Sequence, residues 1–277
     1  MTEMEAYSLS VDSLTKHFRL RGSEQGDVAN SGNVLRAVDS VSFNLHRGEI
    51  LGLAGGSGSG KTTLARCIVR LIEPDSGSVL LGGDDLLKLQ GKALRLIRRR
   101  IQMVFQDPYS SLNPRLSVSD TLVEVGRVLG DLQKEDSRGF VDTLLEQVQL
   151  PKGIADRRPR ELSGGQRQRV AIARALAAGP EVLIADEAVS ALDVSVQAQL
   201  LGVFRGLREE LGVSILFVTH QLAVLAEVAD RAAVMQRGKI VEIDQTSAIL
   251  NNPQHEYTKM LIEAHPFSDP RRRGEFF

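Results

Sequence analysis

Short uninterrupted runs of apolar residues divide this chain into segments. Residues 50–54 (ILGLA), 182–185 (VLIA) and 213–218 (VSILFV) have the pattern of strands buried on both faces, since a half-exposed strand would alternate apolar and polar residues. Apolar residues at helical spacing follow at 64–72 and 197–211. Strands that alternate with helices predict a parallel sheet of the α/β class.

The remaining patterns surround this predicted core. Residues 8–20 and 35–45 alternate apolar with polar positions on either side of a Gly/Ser/Asn-rich loop at 21–33, which predicts an antiparallel β edge. Residues 108–160 show helical spacing without a buried strand, which indicates an inserted helical subdomain. A short β segment at 238–243, a helix at 257–264 and an Arg-rich tail complete the chain.

Composition excludes several classes of protein. The 277 residues are 42% apolar and 25% charged, and 34 basic against 35 acidic side chains leave a net charge of −1. This balance does not indicate a strongly basic surface, so we expect no nucleic-acid partner. We interpret the arginine runs at 98–100 and 271–273 as solvated surface segments. The single cysteine, Cys67, excludes an intrachain disulfide and a Cys-based metal cluster. No secretory signal and no apolar run of about 18 residues is present, so any membrane spans must come from another chain.

A glycine-rich segment at 55–62 (GGSGSGKT) matches the phosphate-loop pattern G-x-x-x-x-G-K-[ST] and lies between a predicted strand and a predicted helix. Glycines allow successive N–H groups to turn toward phosphate oxygens, and a helix N-terminus favours anions. Lys61 is expected to bridge the β- and γ-phosphates, and the Thr62 hydroxyl to bind Mg²⁺. The predicted nucleotide-binding residues here are Gly55, Gly56, Ser57, Gly58, Ser59, Gly60, Lys61, Thr62 and Thr63.

Two adjacent carboxylates, Asp186 and Glu187, end the predicted strand at 182–185. In open α/β sheets, ligands bind at the carboxyl ends of the strands. Asp186 is therefore a candidate Mg²⁺ ligand and Glu187 a candidate for polarising an attacking water. The alternative is an ordinary acidic pair between a strand and a helix, and the nearby phosphate loop favours the functional interpretation.

The segment at 162–166 (LSGGQ) precedes a helix predicted at 170–178, so its N–H groups and the Ser163 hydroxyl could form a second anion site. The ordered set of phosphate loop, LSGGQ and Asp-Glu closely resembles the nucleotide-binding subunits of ATP-binding cassette (ABC) transporters. The resemblance implies an α/β P-loop NTPase fold, a RecA-like core of mostly parallel sheet with an antiparallel β edge and an inserted helical subdomain. It also implies ATP and Mg²⁺ as ligands.

Further roles are implied by the same resemblance. Phe18 corresponds to the aromatic residue that stacks on adenine, and Gln106 to the Q-loop glutamine near Mg²⁺ and the attacking water. Asp193 lies in the D-loop, which crosses a dimer, and His220 corresponds to the switch histidine at the γ-phosphate. The signature residues contact ATP across the dimer, and they are Ser163, Gly164, Gly165 and Gln166. Glu187, His220 and Gln106 would then be catalytic, with Thr62, Gln106 and Asp186 at the metal.

Segments at 104–114, 190–198 and 252–258 resemble the dipeptide, oligopeptide and nickel importer ATPases of bacteria. Ala188, where peptide importers usually carry Pro, also occurs in nickel-type members, so a nickel or metallophore importer stays open as the alternative. A soluble, non-transport ABC ATPase is a remoter one. The resemblance implies a peripheral subunit on the cytoplasmic face of the inner membrane, with two multi-span permeases, a second ATPase subunit (itself or a related chain) and, indirectly, an extracytoplasmic solute-binding protein.

The same resemblance divides the chain into parts. Residues 8–107 and 166–250 are expected to form the nucleotide-binding core with its β subdomain. Residues 108–165 are expected to form the helical signature subdomain, and residues 251–277 a C-terminal extension. The segment 107–115, directly after Gln106, is expected to receive a cytoplasmic helix of the permease.

Overall fold

The computed structural model describes residues 7–19, 34–129, 132, 136–190 and 192–264. Its strands form two sheets, one of four strands and one of six. Along the described residues the strands are β1 (Tyr7–Arg19), β2 (Val34–His46), β3 (Ile50–Ala54), β4 (Ser76–Leu81), β5 (Asp84–Asp85), β6 (Ile101–Val104), β7 (Val182–Asp186), β8 (Ser214–Val218), β9 (Arg231–Gln236) and β10 (Lys239–Gln245).

The larger sheet has the order β10-β9-β3-β8-β7-β6. Its strands are parallel except for β10, which pairs antiparallel with β9. The three strands predicted from apolar runs, β3, β8 and β7, lie side by side at its centre and are buried at every residue. Because parallel strands share their carboxyl edge, the segments that follow these three strands come together at one edge of the sheet.

The smaller sheet has the order β2-β1-β4-β5 and is antiparallel. It contains the predicted β edge, and the register of β1 and β2 pairs Phe18 with Leu35. The loop predicted at 21–33 lies outside the described residues, as does the Arg-rich tail. Strands β4, β5, β6 and β9 and the helix at 91–100 were not predicted.

The helices cover both faces of the larger sheet. They are α1 (Lys61–Ile68), α2 (Gly91–Arg100), α3 (Pro108–Ser111), α4 (Val118–Leu129), α5 (Ser137–Gln147), α6 (Gly164–Leu176), α7 (Val194–Leu211), α8 (Leu222–Val228), α9 (Thr246–Asn251) and α10 (Glu256–Ala264). The region 108–160 contains helices α3 to α5 and short 3₁₀ turns, with no strand among its described residues, as predicted.

Alternate residues of the central strands face two separate hydrophobic cores. Ile50 and Ala54 belong to the core that joins the sheet to α4–α8, whereas Leu51 and Leu53 belong to the core shared with α1 and the smaller sheet. The period-two geometry of a strand thus explains why β3 has no polar face. No helix in the described part of the chain has both the length and the apolar character needed to cross a membrane.

Candidate active site

The glycine-rich loop at 55–60 joins the end of β3 to the start of α1. Gly58 and Gly60 have φ angles of 74° and 109°, a region that side chains other than glycine rarely adopt. A Cβ atom on Gly60 would also overlap the carbonyl oxygen of Ala37 in β2. Gly60 is the N-cap of α1 and brings no side chain to satisfy the first N–H groups of the helix. The loop therefore leaves the N-terminus of α1 open to an anion.

Lys61 is only 5% exposed and its ammonium group bonds to the loop itself. Its Nζ donates hydrogen bonds to the carbonyl oxygens of Gly55 at 2.8 Å and Gly56 at 3.0 Å. Burial lowers the pKa of Lys61, and the neighbouring carboxylates of Glu187 and Asp186 act in the opposite direction. The carbonyls of Gly55 and Gly56 thus hold the Lys61 ammonium group at the loop, and the oxygens of a bound anion could replace these carbonyls.

Asp186, the last residue of β7, accepts a hydrogen bond from the Thr62 hydroxyl, with an Oγ1–Oδ1 distance of 3.1 Å. Burial raises the pKa of Asp186, while the Thr62 hydrogen bond and nearby Arg66 and Lys61 lower it. The described residues contain no group of three or more His, Cys, Asp or Glu side chains that could hold a metal. Mg²⁺ commonly takes one or two protein oxygens and completes its shell with water and substrate phosphates. The hydroxyl and carboxylate of this pair fit that requirement.

Glu187 has an unusual backbone for a non-glycine residue, with φ of 49°. The surrounding structure holds this conformation: its N–H donates to the Val218 carbonyl at 2.9 Å, and its carbonyl accepts from the Ser190 hydroxyl at 3.0 Å. The carboxylate Oε1 lies 3.5 Å from Nδ1 of His220, which follows β8. A strained backbone held by neighbouring strands places this carboxylate and imidazole together.

One cleft of about 660 Å³ brings most of the predicted residues together. Phe18 enters it from β1, with Nζ of Lys16 at 5.6 Å from its ring centroid. Leu35 and Ala37 were not predicted, although the register of Leu35 with Phe18 explains their presence. The cleft is lined by Phe18, Leu35, Ala37, Gly56, Ser57, Gly58, Ser59, Gly60, Lys61, Thr62, Thr63, Glu187 and His220. Gly55 and Asp186 lie directly behind this lining through their bonds to Lys61 and Thr62.

Gln106 does not line the cleft, but it lies at the same edge of the sheet. Val104 in β6 pairs with Ala185 in β7, and Gln106 and Glu187 each follow two residues after this pair. Gln106 is exposed. The residue thus stands beside the cleft at the point where the chain passes from the sheet into α3.

The signature residues 163–166 also lie outside the cleft, and the helix prediction at 170–178 was wrong at its start. Helix α6 begins at Gly164, so the motif is its first turn. The Gln166 N–H donates to Ser163 Oγ at 3.3 Å, and the Ser163 N–H donates to Gln166 Oε1 at 3.0 Å. This reciprocal capping box satisfies the N–H groups of Ser163 and Gln166, which were predicted to be available to an anion.

Asp193 caps α7 beside the signature turn and outside the cleft. Its carboxylate accepts hydrogen bonds from the Ser195 hydroxyl at 2.7 Å and the Val196 N–H at 3.0 Å, and these lower the pKa of Asp193. A Cβ atom on Gly165 would overlap the Val196 side chain. The first turns of α6 and α7 are therefore packed directly against each other.

Comparison with known proteins gives a consistent result along the chain. Residues 38–190 match the family model of the ABC transporter, and residues 241–276 match the C-terminal region of the oligopeptide/dipeptide transporter. A probable peptide ABC transporter ATP-binding protein of Sinorhizobium fredii is 48% identical over 264 residues, which are 95% of this chain and 74% of that protein. A glutathione import ATP-binding protein of Shigella flexneri is 44% identical over 96% of this chain, but the match spans only 42% of that protein.

A solved structure shows the same fold. It is a dimeric ATP-binding cassette in a post-hydrolysis state bound to ADP and Pi, with a TM-score of 0.73 and 29% sequence identity. The match covers 86% of this chain and 98% of that one. The predicted α/β P-loop NTPase fold is confirmed by this likeness.

Proposed function

This chain belongs to the ABC transporter family, and from that premise we propose that it is the ATP-hydrolysing subunit of a bacterial importer of di- and oligopeptides. The match of residues 241–276 to the oligopeptide/dipeptide transporter region and the name of the S. fredii relative support peptides as the solute. The observation that carries the proposal is the single cleft in which the phosphate loop, Glu187 and His220 meet.

ATP binding begins with the phosphates at the loop. The N–H groups at the open end of α1 bind phosphate oxygens, and Lys61 exchanges the carbonyls of Gly55 and Gly56 for the β- and γ-phosphates. Phe18 stacks on adenine at the far side of the cleft. Mg²⁺ bound by Thr62, Asp186 and Gln106 would supply charge neutralisation for the phosphates.

Hydrolysis is assigned to the residues at the carboxyl ends of β7 and β8. Glu187 orients and polarises the attacking water, and His220, 3.5 Å away, stabilises that arrangement and contacts the γ-phosphate. Gln106 closes the site from the end of β6 when the permease moves the segment that follows it. The geometry of the pair, held by a positive φ at Glu187, supports a role in water activation.

A second ATPase subunit completes the site. Ser163, Gly164, Gly165 and Gln166 lie outside the cleft of their own chain, so we propose that they close on the phosphates bound by an opposing subunit, with Asp193 at the contact between chains. The dimeric state of the similar solved cassette supports this arrangement. We propose that residues 108–165 form the signature subdomain of each subunit and that residues 251–277 form its C-terminal extension.

The permease is proposed to dock beside Gln106. A groove of about 360 Å³ lies between α3 and α4 and includes Asn113, Leu116 and Val128, of which Val128 is 69% exposed. Next to it, the Tyr109 ring lies 4.1 Å from the guanidinium carbon of Arg167, whose Nη1 donates to the carbonyl just before Ser163 at 2.6 Å. A helix seated in this groove would move the signature turn with it. The subunit then works at the cytoplasmic face of the membrane.

Lys61→Ala tests the proposed function. We expect the loss of ATP hydrolysis and much weaker ATP binding, because Lys61 is the only lysine or arginine among the described residues that line the cleft. Binding of a fluorescent ATP analogue and phosphate release measure the two effects. Lys88→Ala, at an 82% exposed lysine paired with Asp85, is the matched control and should resemble the unaltered protein. Near-normal turnover in Lys61→Ala would contradict the phosphate-loop assignment.

A further inference from the structure

The peptide unit between Gly55 and Gly56 is held from two sides. Its N–H, on Gly56, donates a hydrogen bond to the Tyr257 hydroxyl at 2.9 Å, and its carbonyl, on Gly55, accepts one from Lys61 Nζ at 2.8 Å. The N–H and carbonyl of a trans peptide point in opposite directions. Tyr257 and Lys61 therefore fix the two opposite edges of one peptide plane in the phosphate loop.

Tyr257 belongs to α10, and its place is set by an anchor on β10. The Glu242 carboxylate accepts hydrogen bonds from the N–H groups of Gln254 at 2.7 Å and His255 at 3.1 Å. His255 Nδ1 in turn accepts from the Tyr257 N–H at 3.1 Å. Burial acts to raise the pKa of Glu242, but the interactions with Gln254, Thr258 and His255 outweigh burial and lower the pKa overall.

The ring of Tyr257 packs against the core that joins the sheet to α4–α8, so the hydroxyl is carried by a fixed aromatic body. A Cβ atom on Gly56 would lie 3.0 Å from the hydroxyl oxygen, closer than ordinary van der Waals contact. The absence of a side chain at Gly56 thus allows the tyrosine to reach the backbone. The same loop is held at its other end by the hydrogen bond from the Gly238 N–H to the Ser59 carbonyl at 2.9 Å.

We infer that Tyr257 is a positioning residue for the phosphate loop, through which the C-terminal segment sets the affinity of the site for ATP. This inference rests on the proposed function. When Lys61 leaves the loop carbonyls for a phosphate, the peptide loses one of its two fixed edges, and the Tyr257 hydroxyl keeps the other. The loop then receives ATP in the orientation it already has, and less ordering is needed on binding.

Tyr257→Phe removes the hydroxyl and keeps the packed ring. We expect the dissociation constant and KM for ATP to rise up to about fivefold, because a loop that is no longer held in its binding conformation must be ordered when ATP binds. The kcat should stay within about twofold of the unaltered protein, since the contact is the same in the ground and transition states. Tyr7→Phe, the same change at the far end of β1, is the matched control and should alter neither quantity.

Two further variants separate positioning from general stability. Glu242→Ala loosens the anchor and keeps the hydroxyl, so it should raise KM for ATP, and combining it with Tyr257→Phe should add little. Gly56→Ala should be more harmful in the presence of the Tyr257 hydroxyl than in the Tyr257→Phe background. The melting temperature of Tyr257→Phe without nucleotide should fall by no more than about 4 °C, the effect of one hydrogen bond lost from the folded state.

The outcomes distinguish this inference from the proposed function. If the unaltered protein hydrolyses ATP and Lys61→Ala does not, but Tyr257→Phe has normal KM, the positioning role is wrong and the proposed function stands. A fall in kcat and melting temperature with unchanged ATP affinity would also overturn it, because that result indicates a structural role alone. If Lys61→Ala hydrolyses ATP normally, the proposed function itself fails.

Discussion

Helices α1 and α6 both begin in a glycine-rich turn, but their first turns are completed in different ways. Helix α1 has Gly60 as its N-cap and no capping side chain, so its first N–H groups face the cleft. Helix α6 has Ser163 as its N-cap, and a capping box with Gln166 satisfies the N–H groups of both residues. From the sequence, both turns are predicted to bind anions. In the structure, only the α1 turn of the two has no side-chain cap on its first N–H groups, which leaves them available to an anion.

This difference explains why the α1 turn can bind phosphate by itself, whereas the α6 turn needs a second subunit to do so. The α1 turn also has the Lys61 ammonium beside it and can bind phosphate within one chain. The α6 turn is internally satisfied and packs against Val196 in α7, so it offers the Ser163 hydroxyl as a donor rather than a complete phosphate site. We interpret α1 as the primary binding site and α6 as a contact that acts only when another subunit brings the phosphates to it.

Glu187→Gln is expected to have the largest effect, and it tests the α1 side of the comparison. The amide keeps the shape of the side chain but cannot polarise water, so hydrolysis should fall several hundredfold or more while ATP still binds. The variant should accumulate as an ATP-bound dimer. Phosphate release and size-exclusion chromatography with and without ATP are the measurements, with the partner ATPase added where one exists. Wild-type turnover, or a monomer under every pairing, would show that the assignment of Glu187 or the two-chain site is wrong.

Ser163→Arg tests the α6 side of the comparison. It should reduce hydrolysis about a hundredfold, comparable to the loss of one preorganised donor to developing charge. In the Glu187→Gln background it should prevent the ATP-dependent dimer and leave nucleotide binding by the monomer intact. Ser247→Arg, which adds the same charge at an exposed serine in α9, is the control. Loss of monomer binding in Ser163→Arg would mean that α6 contributes to its own chain's site.

Phe18→Ala has the smallest expected effect. Stacking on a base contributes to ground and transition states alike, so KM for ATP should rise about fivefold with kcat little changed. Phe18→Trp should restore the affinity, and ATP titration of all three proteins gives the comparison. Identical behaviour of the Ala and Trp variants would assign adenine binding to another residue of the cleft.

The central part of the fold could be predicted because its signals are local. The apolar runs of β3, β7 and β8 identified the three strands whose carboxyl edge carries the site, and the glycine-rich motif marked the turn between β3 and α1. Strand β6 was missed because it has only four residues and a glutamine interrupts it, and β9 because its apolar run, Ala-Ala-Val-Met, is rich in residues with low strand propensity. The start of α6 was missed because two glycines weigh against a helix, although Ser163 and Gln166 have capping-box spacing and could have revealed it.

Other features of the site depend on tertiary structure. The positive φ of Glu187 is held by hydrogen bonds to Val218 and Ser190. It could not be predicted from the sequence, because a glutamate gives no sign of this conformation. Tyr257 lies 201 positions from the loop residue that it contacts, and only the packing of α10 reveals the contact. The roles assigned to the site residues all stay predictions, and those of Gln106, Asp193 and the signature residues also depend on a partner chain.

The carbonyls of the phosphate loop compete with a bound phosphate for the Lys61 ammonium group. The Lys61 ammonium group donates hydrogen bonds to two backbone carbonyls, so a phosphate that replaces them gains only the difference between its oxygens and theirs. A nucleoside monophosphate has no β- or γ-phosphate oxygens, so it cannot replace the Gly55 and Gly56 carbonyls as partners of Lys61. The loop therefore favours a nucleotide that offers Lys61 at least a β-phosphate, and this preference originates in the two carbonyl contacts of Lys61.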